Sequence, residues 1–188
     1  VAALMPYMYN PALNDFETQR RSYEDKSMTL ADYCAYVNDL AGKKRVEMKG
    51  YPHLSAFVQS ARMEKGMDFK RAEAERNAFI KDLAKLLDEN EVKALVDNTR
   101  QFKTQKLSGR DYYAYLKKTS EGKIDVAASF PNLNAYIEYI TVSKDINAID
   151  LLKEIGAATN AVRESLFVNN DERQLSKIAQ ALDTLRGF

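Results

Sequence analysis

DYCAYV…YPHLSAFV runs from Asp32 to Val58, and 79 residues further on the chain reads DYYAYL…FPNLNAYI, from Asp111 to Ile137. At that one spacing Asp32/Asp111, Tyr33/Tyr112, Ala35/Ala114, Tyr36/Tyr115, Pro52/Pro131, Leu54/Leu133 and Ala56/Ala135 are identical, and no gap is needed. Val37/Leu116, Tyr51/Phe130, Phe57/Tyr136 and Val58/Ile137 keep apolar or aromatic character between them. The punctuation recurs as well: Thr29 and Ser108 each stand three residues before an acid, Asp32 or Asp111, in the pattern of a helix N-cap. Composition alone reproduces apolar periodicity, but it seldom places caps, prolines and aromatics in one register. Self-similarity at a fixed period predicts an internally duplicated helical unit.

Working outward, the remaining signals are helical. With only 7 Gly and 4 Pro in 188 residues, there are too few breaks for many short strands, and the fold class expected is all-α. Pro11 opens a helix carrying Leu13, Phe16 and Tyr23, and a second runs from Leu30 to Leu40. A polar loop spans Gly42 to Gly50, and Pro52 begins a helix that ends near Gly66. Asp68 caps a longer helix with Phe79, Ile80, Leu83, Leu86 and Leu87 at steps of three and four. Asp88 with Glu91 then marks a turn, and Val92, Leu95, Val96 and Phe102 line a returning helix.

The second half repeats this plan. Ser108, Pro131 and Asn147 start helices, and the stripe Leu151, Leu152, Ile155, Val162 and Leu166 leads to a turn at Asn169 and Glu172. Leu175, Ile178, Ala179, Leu182 and Leu185 return toward a stop at Gly187, and the register slip there predicts a slightly longer second hairpin. Each unit is therefore expected to hold two short aromatic-rich helices and a long antiparallel helical hairpin. The organisation expected is an N-terminal segment over 1–27, a first repeat over 28–107 and a second over 108–188.

Charge bounds the partners. Residues 1–94 carry 15 basic and 15 acidic side chains, and residues 95–188 carry 13 and 12, so no field draws the chain to nucleic acid or to an anionic membrane. The cluster Lys43, Lys44, Arg45 and Lys49, with Glu47 inside it, reads as a solvated loop. No apolar run of about 18 residues marks a membrane span, and no secretory leader opens the chain, so no membrane insertion is expected. Its first residue, Val1, reads as the start of a processed or excised piece, and compartment stays open.

The chemistry-bearing residues are few. Cys34 is the sole cysteine and aligns with Tyr113, which favours a packing role over a nucleophile. His53 is the sole histidine, follows Pro52 and aligns with Asn132, so no zinc motif forms around it. No GxSxG serine, phosphate loop or calcium loop is present, and no cofactor is implied. Glu73 and Glu75 lie two apart on a helix, hence on different faces. The residues singled out for an interaction surface or pocket are Tyr33, Tyr36, His53, Tyr112, Tyr115 and Tyr136. Most of these tyrosines are expected to bury their rings in helix packing, with the hydroxyl reaching water or a polar neighbour.

The stretch FPNLNAYIEYI at Phe130 to Ile140, with DLLKEI at Asp150 to Ile155 and ESLFVNNDERQLSKIA at Glu164 to Ala179, resembles a helical region of uncharacterised bacterial proteins. The likeness extends more loosely over Tyr9 to Tyr33. In those proteins the region accompanies a ChaN/TraB-like domain linked to haem binding or metal-dependent hydrolysis. The resemblance implies an accessory helical module, and no catalytic residue of the companion domain has a counterpart here.

Two function classes follow. One is a non-catalytic scaffold or interaction module that holds a protein partner or an adjoining domain of its parent chain, and it predicts an exposed apolar patch. Pairing with a second copy through apolar helix stripes is compatible with it. The other is a ligand-binding or enzymatic domain, with a pocket between the two repeat bases in which the tyrosines and His53 converge.

Overall fold

The computed structural model describes the backbone of residues 5–186 and the side-chain surroundings of residues 7–182. The side chain of Leu185 and the stop at Gly187 lie outside the described residues. Within them the chain is all-α, with no strand. Its helices are α1 (Met5–Met8), α2 (Pro11–Glu24), α3 (Leu30–Lys43), α4 (Pro52–Lys65), α5 (Phe69–Ala84), α6 (Glu89–Lys103), α7 (Gly109–Ser120), α8 (Val126–Ser129), α9 (Pro131–Lys144), α10 (Ala148–Leu166) and α11 (Asn170–Arg186).

Short polar side chains set most of these starts by accepting N–H groups that the first turn leaves unpaired. The Thr29 hydroxyl accepts from the Asp32 N–H, and the Ser108 hydroxyl accepts from the Asp111 N–H. Asp68 accepts from Arg71, and Asn147 from Ile149 and Asp150. At α6 the exchange is reciprocal: Asp88 accepts from Glu91, whose carboxylate takes the Asp88 N–H. Substituting one such cap by alanine costs about 1 kcal/mol.

The residues divide into two compact units whose boundaries cross the sequence blocks. Unit 1 comprises residues 1–58 and 146–188, and unit 2 comprises Gln59–Asp145. In unit 1, α10 lies against α2 and α3, and α1 meets α11. Leu13, Phe16, Tyr33, Cys34, Val37 and Leu54 are buried there with Ala158, Val162, Leu166, Leu175 and Ala179. In unit 2, α9 collects α5, α7 and α8, while α6 packs on α7. Phe79, Leu83, Leu95, Tyr112, Tyr113, Leu116, Phe130 and Leu133 form that core.

The most extensive packing of α5 is thus with α9, and not with α6, the neighbour in sequence with which an antiparallel hairpin was expected. Phe79 on α5 meets Phe130 edge to face at 5.5 Å, just ahead of α9, and burial of these rings outweighs what the exposed α5–α6 turn offers. The second half was expected to hold the longer hairpin; α10 has 19 residues against 16 in α5, but its most extensive packing is with α3 and α2 rather than with α11.

Several geometric details recur at the spacing of 79. Tyr23 stacks on Tyr33 at 4.6 Å, and Phe102 stacks on Tyr112 at 4.3 Å. Lys26 and Gln105, just past α2 and α6, are in the left-handed region at φ 67° and 58°. The Met28 N–H bonds back to the Ser22 carbonyl, as that of Leu107 does to Gln101. The α4 and α9 starts, where Tyr51 and Phe130 supply no short oxygen, are capped from a distance. Glu154 on α10 accepts the Leu54 N–H at 2.9 Å, and Glu75 on α5 accepts the Leu133 N–H at 2.8 Å.

Candidate functional site: an apolar groove and a polar pocket

The six residues singled out from the sequence fall in both units. In unit 1, Tyr33 is buried, with its hydroxyl 3.1 Å from the Thr159 hydroxyl. Tyr36 is half-buried against the same core and donates to Asp15 at 3.0 Å. Burial, with Asp15 beside it, pushes the Tyr36 phenol well above its ordinary range. His53, in the first turn of α4, accepts the Asn147 N–H at Nδ1 and so serves the entry to α10. In unit 2, Tyr112 is buried and bonds to Thr99, and Tyr115 packs half-buried on the core. Tyr136 meets Tyr113 edge to face at 5.3 Å, and Tyr113 meets Tyr112 at the same distance, so an aromatic chain joins α7 to α9. Cys34 is fully buried, which pushes its thiol up to about 12.

A polar pocket of about 350 Å³ opens in unit 1 beside Arg20, Tyr33, Asn160, Arg163 and Gln180. Its floor is a buried charge cluster. Arg163 donates Nε–H to Glu17 Oε1 at 2.7 Å and Nη1–H to Asn160, and its guanidinium sits 5.6 Å from the Phe16 ring centroid. Arg20 donates to the other oxygen of Glu17 at 2.8 Å. Burial raises the Glu17 pKa, but Arg163 and Arg20 outweigh it and hold the carboxyl below its usual range. With both Glu17 oxygens engaged by guanidinium groups, the cluster is arranged to hold α2 on α10.

Unit 2 presents a different surface at the matching place. Ala84 and Val96 stand 79 residues from Arg163 and Glu17, counted backward and forward. With Ile80, Val92, Leu95 and Thr99 they line an open groove of about 350 Å³ whose walls come from α5, α6 and the residue that closes α6. Val96 was expected on the inner stripe of α6, yet it is 61% exposed. One residue is 100° of helix, so with Leu95 seated in the core its neighbour turns outward. The rim at the C-terminal end of α6 is basic, with Arg100 and Lys103.

Other stripe residues also face outward. Leu86, Leu152, Ile178 and Leu182 were read as packing positions, and all four are exposed: Leu86 lies past the end of α5, in the turn before α6, while α10 and α11 carry apolar residues on more than the face their unit covers. A second groove in unit 2, about 590 Å³, runs beside α7, α8 and α9 between Lys117, Glu121, Ile124, Asp125, Asn134 and Ile137. The basic loop after α3 is solvent-facing, and its Lys49–Glu47 contact is a loose 3.9 Å.

Among the described residues, no three His, Cys, Asp or Glu side chains gather as metal ligands, and no helix is long and apolar enough to cross a membrane. The chain matches no family model, no curated protein and no solved structure.

Proposed function

We propose that this chain is a non-catalytic helical interaction module, built from a duplicated helical unit and serving as the accessory part of a larger protein. The observation that carries the reading is the α5–α6 groove, where Val96 stands exposed between apolar walls. An apolar recess of that kind is hydrated at a free-energy cost unless a partner covers it. Support for a duplicated origin comes from the stacked rings, the left-handed residues and the remote caps that share one spacing.

A second reading, a ligand-binding domain, is favoured by the 590 Å³ groove, whose volume suits a small molecule. Its polar lining is less convergent: Asp125 is already engaged in capping α8.

The test compares affinity capture from the protein's own cells by the wild type and by Val96→Lys, with a thermal-shift screen of metabolites beside it. The reading expects proteins retained by the wild type and lost by the variant. A metabolite that raises Tm in the wild type but not in Asn134→Ala, with identical captured proteins in both chains, would replace it with the second reading.

A further inference from the structure

The groove between α5 and α6 has a covered counterpart in unit 1. There Leu13, Glu17, Thr159 and Arg163 occupy the positions that Val92, Val96, Ile80 and Ala84 hold in unit 2, and all four are buried. The difference is α11, which lays Leu175 and Ala179 into the unit 1 core and Gln180 beside the Arg163 pocket. No third helix lines the α5–α6 groove among the described residues. The resulting arrangement inverts ordinary burial: Glu17 and Arg163 are covered in one unit, while in the other Val96 is exposed and Ile80, Ala84 and Val92 are only half-buried. A helix is the shape of occupant that closes such a groove.

The chain itself offers a helix face of matching chemistry. On the flank of α11, beside its buried Leu175, Asp171, Ile178 and Leu182 are exposed and separated by seven and four residues, which places them on one stripe. On α6, Lys103, Val96 and Val92 are separated by the same seven and four in the opposite direction. Laid antiparallel, the two stripes bring Asp171 to Lys103, Ile178 to Val96 and Leu182 to Val92, each charge about 10 Å from the first apolar pair at 1.5 Å rise per residue. Acid meets base at one end and aliphatic meets aliphatic at the other.

We infer that the groove between α5 and α6 docks the exposed Asp171–Ile178–Leu182 flank of α11 from a second copy of this chain. The inference rests on the interaction-module reading and names its partner. The contact is heterologous, one patch against a different patch, so it closes into a dimer when made reciprocally and otherwise extends head to tail.

The test is sedimentation of the full chain, with circular dichroism as a check on helicity. The wild type is expected to associate at micromolar concentration, whereas Val96→Lys alone and Ile178→Lys alone remain monomeric with helicity unchanged, since both residues are exposed. Mixing the two variants restores a one-to-one complex, because each retains the half that the other has lost. Lys103→Glu weakens association roughly fivefold, and adding Asp171→Lys recovers it. A wild type that stays monomeric throughout, or variants that fail to complement when mixed, overturns the second copy as occupant. Loss of captured proteins in Val96→Lys alongside a monomeric wild type leaves the interaction reading standing and removes only this inference, while a groove variant that changes neither removes both.

Discussion

The carboxylate of Glu75 accepts the Leu133 N–H at 2.8 Å and completes the start of a helix whose own N-cap residue, Phe130, makes no side-chain cap. The same oxygen pair also receives the Asn132 amide. A carboxylate at a helix N-terminus answers both the unpaired N–H groups and the positive end of the helix dipole. Replacing Glu75 by alanine leaves a part-buried donor without that acceptor, and a loss of about 1–3 kcal/mol is expected. Urea denaturation gives the size, and faster amide exchange at Leu133 gives the place. Unchanged exchange there would show that the cap is not what holds the helix start.

The ion pair between Glu17 and Arg163 leads to an asymmetric expectation. Glu17→Ala leaves the buried Arg163 guanidinium without its carboxylate, for a loss of about 3–5 kcal/mol, whereas Arg163→Ala leaves Glu17 its second partner, Arg20, and is expected to cost less. The double change Glu17→Leu with Arg163→Met removes both charges and keeps volume, and it is expected to be close to neutral, since a well-packed apolar pair replaces a buried salt bridge at little cost. Denaturant midpoints of the two singles and the double form the cycle, and additive losses would contradict the coupling.

Acid should loosen unit 1. Burial tends to raise Glu17 and Glu172, but guanidinium groups at Glu17, and the N–H groups of Val168 and Asn10 at Glu172, bring both below the ordinary 4.5. A carboxyl depressed in the folded state stabilises fully above its unfolded pKa, and that stability is lost as pH falls through the folded value. Urea midpoints measured from pH 7 downward should therefore hold steady and then drop below about pH 4.5, with a shallower drop in Glu172→Gln.

Cys34 should resist thiol reagents. Its thiol is fully buried and pushed up to about 12. At pH 8 that leaves on the order of one thiol in ten thousand ionised, and the thiolate is the reactive form. Labelling by a chromogenic disulfide is expected to be slow in buffer and immediate in denaturant. Rapid labelling of the native chain would mean that α3 opens far more often than its packing suggests.

Local signals carried most of what the sequence makes legible. Thr29, Asp68, Asp88, Ser108 and Asn147 are short polar side chains beside periodic apolar runs, so the helix starts can be read from neighbours a few residues away. The single turn α8 was missed because Asp125 caps too few residues to establish a period. What α5 packs on was hidden for a different reason: Glu75 meets Leu133 across 58 positions, and nothing local to either residue records the other. Glu75 and Glu154 do stand 79 apart, as Leu54 and Leu133 do, and that shared spacing was the available clue. Val96 shows the limit of periodicity, since a stripe two faces wide does not say which face the fold covers.

Unit 1 is drawn from two separated stretches, residues 1–58 and 146–188, while unit 2 lies wholly between them. During synthesis the ribosome therefore releases all of unit 2 before α10 exists. Helices α2 and α3 emerge before unit 2, yet must wait with Leu13, Phe16 and Val37 uncovered until Ala158 and Val162 arrive. Unit 1 is thus begun before unit 2 and completed after it, and its apolar α2 and α3 residues stay uncovered for as long as unit 2 takes to emerge.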